Sequence, residues 1–308
     1  MQKTAFIFPG QGSQSVGMLA ELAGAYPVVL ETFKEASEVL GYDLWALVQN
    51  GPEADLNATE RTQPALLTAS VATYRAYLAQ GGVAPALMAG HSLGEYSALV
   101  CAGALDFKDA VALVEARGQY MQAAVPAGTG AMAAIIGLDD ADVVAGCAEA
   151  AQGDVVEAVN FNSPGQVVIA GSKAAVDRAC EVLKEKGAKR ALPLSVSVPS
   201  HCALMKPAAE QLAERLKQVT IAAPAVPVIN NVDVASVSEG DAIRDALVRQ
   251  LYSPVRWTES VQAMAQQGVT DLYECGPGKV LCGLAKRIDK SLNAGPLHSS
   301  DELQSVAK

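Results

Sequence analysis

The chain has 308 residues, a hydrophobic fraction of 50% and a formal net charge of -10. Such a length and apolar content support one large domain, or a large and a small one, around a continuous core, and they exclude a disordered chain. The negative charge repels phosphate backbones and no arginine-rich stripe offsets it, so nucleic acid is not an expected partner.

The first predicted element is a buried strand from Thr4 to Phe8, which ends in the glycine turn Pro9-Gly10-Gln11-Gly12. This run is too short for the core of a signal peptide, and no apolar stretch is long enough to span a bilayer. The six cysteines include no CxxC pair. We therefore expect a cytoplasmic protein with reduced thiols and no membrane partner.

Helices and strands then alternate along the chain. Val28 to Leu40 and Ala65 to Ala79 have apolar residues at helical spacing, and Ala86 to Gly90 predicts a second core strand. Alternation of this kind is typical of a parallel sheet covered by helices on both faces. The polar tail from Asn293 is expected to be loosely held. The pattern after residue 199 predicts a helix, a strand, a helix and a final strand, at Cys202 to Lys217, Val226 to Asn230, Asp241 to Leu251 and Asp271 to Glu274.

The pattern changes between residues 127 and 198, where the order of predicted elements is βαββαβ, the ferredoxin-like arrangement. Asn162-Ser163-Pro164-Gly165 supplies the turn between the two middle strands. We therefore predict an α/β fold in which a large, hydrolase-like parallel-sheet domain, residues 1–126 and 199–308, carries a small inserted domain, residues 127–198. The elements of the insert are a strand at Ala131 to Leu138, a helix from Asp139, strands near Val155 to Asn160 and Gln166 to Ala170, a helix from Lys173 and a strand at Arg190 to Val196.

A candidate nucleophile follows the second core strand. Gly90-His91-Ser92-Leu93-Gly94 stands between that strand and an apolar-periodic helix from Glu95, which is the context of a nucleophile elbow. The helix would direct its positive end at an oxyanion formed next to Ser92. The alternative is a glycine turn with an incidental serine, because GxSxG is frequent by chance. The flanking strand and helix favour Ser92 as a nucleophile.

A serine nucleophile needs a base, and the chain has only three histidines. His91 is expected to point away from Ser92, and His298 lies in the polar tail. His201 lies where the small domain returns to the large one, and domain junctions commonly line clefts. We therefore predict His201 as the general base. Its neighbour Cys202 is an alternative thiol nucleophile, although inert buried cysteines are commoner.

Arg117 is a candidate for binding a carboxylate. It lies on the largely apolar helix Ala110 to Met121, where an arginine needs a partner to justify its burial. Its guanidinium has the planar fork that suits a carboxylate. An ion pair with Glu115 or Asp109 explains the sequence equally well.

The glycine turn after the first strand is unlike a nucleotide-binding loop. It lacks the third glycine of the dinucleotide motif and a following Lys-Ser/Thr pair. Its position instead allows it to offer a main-chain N–H to an oxyanion, together with that of Leu93.

Taken together, the segments of this chain resemble the malonyl-CoA:acyl carrier protein transacylases of bacterial fatty acid synthesis, from about Lys3 to Leu284. The same segments are similar to the acyltransferase domains of polyketide and animal fatty acid synthases. The joint order of the segments carries the resemblance, and they are FPGQGSQSVGM, TQPALL, GHSLGEYSALV, the Arg117 helix, VNFNSPGQVVIAG, VPSH and SPVRW.

The resemblance implies a role for each matching residue. Ser92 would carry the acyl group, with His201 as its base and the main-chain carbonyl of Gln250 orienting that histidine. The amides of Gln11 and Leu93 would form the oxyanion hole. Arg117 would hold the free carboxylate of the acyl group. Weaker candidates, which would line the acyl pocket or hold its loops, are Gln63, Met121, Met132, Asn160 and Asn162.

The resemblance also implies malonyl-CoA as the substrate, acyl carrier protein as the partner, and neither a metal nor another cofactor. Acyl carrier proteins are generally acidic, so an acidic enzyme should bind one through a local basic patch. Ordinary solvated helix faces explain the same charges. The candidate residues, from two clusters that also contain Lys184, Lys186 and Lys290, are Lys189, Arg190, Lys286 and Arg287.

Two other functions share some of these features. An α/β-hydrolase esterase would use Ser92 with His298 and would tolerate the loss of His201. A non-enzymatic scaffold for an acyl carrier would keep the basic surface without a working nucleophile, and the presence of both Ser92 and His201 argues against it.

Overall fold

A computed structural model describes residues 2–196 and 198–308, so that Met1 and, within the predicted small domain, Ser197 lie outside the described residues. The strands in these residues form two separate sheets. The strands are β1 Thr4–Phe8, β2 Leu87–Gly90, β3 Gly130–Ile136, β4 Val156–Ser163, β5 Gln166–Ser172, β6 Arg190–Pro193, β7 Val228–Ile229, β8 Asp271–Cys275 and β9 Asn293–Leu297.

Helices surround both sheets, and none in the described residues is long and apolar enough to cross a membrane. They are α1 Ala20–Ala25, α2 Pro27–Leu40, α3 Leu44–Asn50, α4 Glu53–Leu56, α5 Thr59–Ala79, α6 Gly94–Cys101, α7 Phe107–Ala124, α8 Asp140–Ala151, α9 Lys173–Glu185, α10 Lys206–Leu216, α11 Gly240–Gln250, α12 Trp257–Gln266, α13 Val280–Ile288 and α14 Ser300–Val306.

The larger sheet has the strand order β7-β2-β1-β8-β9, and all its pairs are parallel. Successive residues of β1 pack on opposite faces: Phe6 and Phe8 belong to one buried apolar cluster, while Ala5 and Ile7 belong to another. Both faces are therefore covered, which explains why this strand reads as a continuous apolar run rather than an alternating one.

The smaller sheet is antiparallel, with the order β4-β5-β3-β6. Its elements follow the chain order β3-α8-β4-β5-α9-β6, which is the predicted βαββαβ unit. The α/β fold class with a ferredoxin-like insert is thus confirmed. The domain bounds at residues 127 and 198 stay a prediction.

The edge strand of the small sheet is bonded to the segment between α11 and α12. The N–H of Phe161, in β4, donates to the carbonyl of Val255 (3.0 Å), and the N–H of Val255 donates to that of Val159 (2.8 Å). On the face of the small sheet that α8 and α9 do not cover, Met132 and Val168 pack in one cluster with Cys202, which follows the small sheet in the chain. These contacts fix the cleft between the two sheets.

The C-terminal tail corrects one prediction. Asn293 begins β9, which pairs in parallel with β8, so the tail is not loosely held and β8 is not the final strand. The tail then forms α14, capped by a reciprocal pair of hydrogen bonds between Ser299 and Glu302. Its polar composition misled the prediction because β9 is an edge strand, half of which faces solvent.

Several element boundaries also differ from the prediction. The helix expected from Cys202 begins with a 3₁₀ turn, Ala203–Met205, and becomes α-helical at Lys206. The strand expected to run to Val196 ends at Pro193, and the one expected from Val226 is only two residues long. The sequence patterns did not predict the short helices α1, α3 and α4, or α12 and α13.

Candidate active site

Ser92 lies in a sharp turn between β2 and α6, with a φ of 53° in the left-handed region. The turn is possible because Gly90 and Gly94, two residues before and after Ser92, have no side chain. A Cβ atom at position 90 would lie 1.9 Å from the carbonyl carbon of Gly94, and one at position 94 would lie 2.1 Å from the carbonyl oxygen of Phe8. Only glycine fits at both positions, so GxSxG here forms a nucleophile elbow.

Ser92 and His201 form a hydrogen-bonded pair. The Oγ hydroxyl of Ser92 donates to Nε2 of His201, 2.7 Å away, and Nδ1 of His201 donates to the main-chain carbonyl of Gln250, also at 2.7 Å. Because a carbonyl can only accept, the proton of the neutral ring lies on Nδ1 and leaves Nε2 free to accept. The structure thus brings together the predicted nucleophile, the predicted base and the predicted orienting carbonyl.

The protonation state of His201 suits a base. Burial of the ring, together with the nearby charge of Arg117, lowers its pKa from 6.5 to about 3, against the opposing effect of the Gln250 carbonyl. The imidazole is therefore neutral at neutral pH and can take the serine proton.

Arg117, on α7, is 1% exposed and reaches the same site. Its NH1 donates to Oε1 of Gln63 (2.7 Å) and its NH2 to Oε1 of Gln250 (3.1 Å), while the guanidinium lies 5.3 Å from the ring centre of Tyr96. Its Nε has no partner among the described residues. Across the described ranges the guanidinium pairs with neither Glu115 nor Asp109, so the ion pair considered from the sequence is not formed. A buried cation with spare donors can accept an anionic ligand.

Glu95, which the sequence patterns did not single out, is an acidic residue close enough to Arg117 to interact with its charge. It is 2% exposed on α6, and its Oε1 accepts the N–H of Asn231 at 2.7 Å. Burial raises the pKa of this carboxyl from 4.5 to about 7, opposed by the Asn231 hydrogen bond and by Arg117. An acidic residue in an otherwise apolar helix was the available signal. Asn231 is remote from Glu95 in the sequence, and no local pattern pointed to it.

Gln11 and Leu93 lie on the wall of the cavity that contains Ser92. Gln11 follows β1, and its side-chain Oε1 accepts from the hydroxyl of Thr59 at 3.0 Å. Leu93 follows the nucleophile and precedes α6, whose N-terminus carries partial positive charge. Within residues 2–196 and 198–308 neither main-chain N–H has an acceptor. Both can donate to an oxyanion formed at the serine.

This cavity has a volume of about 1030 Å³ and lies between the two sheets. Met121 and Arg117 line it from the large sheet's side, and Met132 and Asn160 from the small sheet. The side-chain oxygen of Asn160 has no hydrogen-bond partner among the described residues. A ligand that filled this cavity would contact residues of both sheets at once.

Two of the weaker candidates, Gln63 and Asn162, do not line the cavity but form hydrogen bonds with residues that do. Gln63, besides accepting from Arg117, donates to the sulfur of Met121 at 3.4 Å. Asn162 accepts from Nε2 of His91 at 2.7 Å. The ring of His91 bonds Asn162 and not Ser92, as expected for a residue that the turn directs away from the nucleophile, although His91 lies on the wall of the same cavity.

The remaining alternatives lack the required geometry. His298 follows β9, with its Nδ1 3.8 Å from Glu302, and it is absent from the walls of the Ser92 cavity in the part of the chain that is described. An esterase that uses His298 is therefore incompatible with this arrangement. Cys202 is fully buried and donates to the carbonyl of Pro199, and burial raises its pKa to about 12. It is an inert thiol.

Comparison with known proteins agrees with this geometry. Residues 5–285 match the model of the acyl transferase domain family. The chain belongs to this family. The malonyl CoA-acyl carrier protein transacylase of Escherichia coli (strain K12) is 69% identical over 298 residues, which cover 97% of this chain and 96% of that protein.

Two solved structures are similar over nearly their whole length. An acyl carrier protein S-malonyltransferase from Vibrio cholerae is 65% identical with a TM-score of 0.97, covering 99% of this chain and 100% of that one. A malonyl-transacylase in complex with a type II PKS acyl-carrier protein is 62% identical with a TM-score of 0.98, covering 99% of each chain. The resemblance predicted from the motifs is confirmed.

Proposed function

We propose that this chain transfers a malonyl group from malonyl-CoA to the phosphopantetheine thiol of an acyl carrier protein, through a malonyl ester on Ser92, and thereby supplies fatty acid synthesis. The observation that carries the proposal is a buried arginine, Arg117, with unused donors in the same cavity as the Ser92–His201 pair. A nucleophile beside a carboxylate-binding cation matches an acyl group that ends in a free carboxylate.

The first half-reaction uses Ser92 and His201. Nε2 of His201 takes the Oγ proton as Oγ attacks the thioester carbonyl carbon, and the N–H groups of Gln11 and Leu93 donate to the resulting oxyanion. When the intermediate collapses, the carbon–sulfur bond breaks and Nε2–H returns its proton to the departing CoA thiolate. Malonyl remains as an ester on Ser92.

The second half-reaction runs these steps in reverse, with a new acceptor. His201 takes the proton of the phosphopantetheine thiol, the thiolate attacks the ester carbonyl, and the proton passes back to Oγ of Ser92 as the ester bond breaks. Water is a competing acceptor, so the reaction benefits from a site in which His201 is buried. No cofactor enters these steps, and the absence of one stays a prediction, as does the cytoplasmic location.

Arg117 reads the malonyl carboxylate in this mechanism. Its bonds to Gln63 and Gln250 go to neutral amide oxygens, which orient the guanidinium without neutralising it. The substrate carboxylate then supplies the missing charge. Met121, Met132 and Asn160 bound the space that the acyl group and its thioester occupy.

The acyl carrier protein would bind at the basic residues of α13 and β6. NH1 of Arg287 donates to Oε1 of Gln166 at 3.3 Å. In the small sheet, Ile136 pairs with Gln166 on one side and with Arg190 on the other. One residue of each basic cluster, Arg287 and Arg190, therefore lies at the same end of that sheet. Within a chain of net charge -10, this local concentration of cations suits an acidic partner.

The test is intact-mass measurement after mixing the protein with malonyl-CoA in the absence of a carrier. We expect one malonyl group, mapped by peptide analysis to Ser92, since the first half-reaction needs no acceptor protein. Ser92→Ala should carry none, and Cys202→Ala, the matched change at the other candidate nucleophile, should be malonylated like the wild type. An adduct on another residue, or none under rapid quench, would contradict the mechanism.

A further inference from the structure

Asn231 has no part in the mechanism described above, yet its side chain contacts the main chain of the nucleophile. It is fully buried and follows β7, the strand adjacent to β2 in the large sheet. Its Oδ1 accepts the N–H of Ser92 at 2.9 Å, and its Nδ2 donates to the carbonyl of Gly90 at 2.7 Å. One side-chain amide therefore bridges the two ends of the turn that presents the serine.

The turn needs such a partner. Ser92 has a left-handed backbone, which is unfavourable for a residue with a Cβ atom. Its N–H also precedes the first turn of α6 and cannot bond within the helix. The main-chain orientation at Ser92 decides where Oγ lies relative to Nε2 of His201, and where the next N–H, that of Leu93, points.

The Asn231 amide is itself held in one orientation. Nε2 of Gln250 donates to its Oδ1 at 3.2 Å and to the carbonyl of Ser92 at 3.0 Å. The main-chain N–H of Asn231 donates to Oε1 of Glu95. Because Oδ1 accepts from two donors while Nδ2 faces a carbonyl, a flipped amide would place donors against donors.

We propose that Asn231 is a positioning residue for the nucleophile: by holding the peptide groups on both sides of His91, it keeps Oγ of Ser92 aligned with His201 and the Leu93 N–H aligned with the oxyanion. The inference rests on the proposed function in that Ser92 is the nucleophile. It predicts a loss in the rate of acylation rather than in the affinity for malonyl-CoA, because Asn231 contacts the main chain of the turn and does not itself line the cavity.

The test compares Asn231→Ala with Asn230→Ala. Asn230 is the adjacent residue, equally an asparagine and 4% exposed, and its Oδ1 accepts from the N–H of Asp233, away from the elbow. In single-turnover assays with malonyl-CoA we expect acylation to slow about 100-fold in Asn231→Ala, the scale of a small misplacement of a reacting group. Acylation in Asn230→Ala should stay at the wild-type rate. The dissociation constant of malonyl-CoA, measured in a Ser92→Ala background, should not change in either variant.

A second readout separates this inference from the proposed function. Labelling of Ser92 by phenylmethylsulfonyl fluoride reports the reactivity of the hydroxyl without a malonyl group. We expect labelling to slow in Asn231→Ala and not in Asn230→Ala. A wild-type protein that is labelled but never malonylated would refute the proposed function while leaving the role of Asn231 to be decided by the labelling rates.

Asn231→Asp serves if the alanine variant does not fold, as judged by thermal melting. Aspartate keeps an acceptor for the Ser92 N–H but loses the donor to Gly90, so its acylation and labelling rates should fall between those of Asn231→Ala and the wild type. Wild-type rates in Asn231→Asp and in any folded Asn231→Ala would overturn the proposal. So would a weakening of malonyl-CoA binding large enough to account for the whole loss of rate.

Discussion

Replacing Arg117 tests how the site recognises its acyl group. The guanidinium is 1% exposed, is held by two amide oxygens and forms no ion pair within the described ranges. Arg117→Ala removes the cation and leaves Gln63 and Gln250 without their donor. We expect transfer of malonyl to suffer far more than transfer of acetyl, because only malonyl has a carboxylate that the cation can bind.

The expected change in the ratio of malonyl to acetyl transfer follows from the hydrogen bonds that the substitution removes. A bond to a charged group contributes about 1.5–3 kcal/mol, so a forked pair offers about 3–6 kcal/mol. Water that enters the space left by the side chain restores part of this. Taking the lower value, about 3 kcal/mol corresponds to a change of about 100-fold in the ratio of malonyl to acetyl transfer. The ratio for Arg117→Lys should lie between those of the wild type and Arg117→Ala, since lysine keeps the charge and loses the planar fork.

The assay is the ratio of acylation rate constants for malonyl-CoA and acetyl-CoA in the wild type and in both variants, with folding checked by thermal melting. Arg75→Ala is the matched control, because Arg75 pairs with Glu35 outside the cavity and should leave the ratio unchanged. An unchanged ratio in the two Arg117 variants would refute the reasoning and assign Arg117 a structural role.

Three further outcomes are expected. His201→Ala should slow acylation about 100- to 10,000-fold, the range for loss of a general base, while His298→Ala should have little effect; the reverse result would favour the esterase alternative. Because burial lowers the pKa of His201 from 6.5 to about 3, and only its unprotonated form accepts the serine proton, protonation of this histidine should not slow acylation as pH drops through 6.5. Glu95, with a pKa raised to about 7, titrates in the same range, so a midpoint near 6.5 in the pH–rate profile that persists in Glu95→Gln would contradict a buried base. The charge reversals Lys189→Glu and Lys286→Glu should weaken transfer to the carrier in a salt-dependent way and leave acylation intact, whereas Lys217→Glu, at the residue that follows α10, should affect neither half-reaction; equal damage to both half-reactions would argue against docking at that patch.

The sharp turn that carries Ser92 was predictable because the residues that form it are close together in the sequence. Gly90 and Gly94 are required by contacts of 1.9 and 2.1 Å that any Cβ would make, so the spacing of the motif directly reflects the turn. The βαββαβ order of the small sheet was predictable for a similar reason, since strand periodicity and turn residues are local signals. The roles of His201, Gln250 and the amides of Gln11 and Leu93 needed the family resemblance as well.

Other features depended on tertiary contacts that no local pattern carries. Glu95 and Asn231 are bonded to each other across 136 residues of sequence. The bond between His91, in the turn that carries Ser92, and Asn162, in β4 of the other sheet, likewise joins residues 71 positions apart. The tail is different, since Ser299 and Glu302 have the spacing of a capping box and Leu303 follows them, so the sequence does contain a local signal for α14.

Gln250 connects the parts of the site into one unit. Its main-chain carbonyl accepts from His201, its Oε1 accepts from Arg117, and its Nε2 donates to the carbonyl of Ser92 and to Asn231. The bond from Arg117 fixes which end of the amide faces the nucleophile, because a guanidinium can only donate. Loss of Arg117 therefore frees this amide to rotate, which would disturb Ser92 for every acyl group, while it also relieves neutral acyl groups of an unpaired buried cation. These two effects oppose each other in acetyl transfer, whereas the disturbance of Ser92 cancels in the ratio of malonyl to acetyl transfer. The ratio thus isolates recognition of the carboxylate from alignment of the nucleophile.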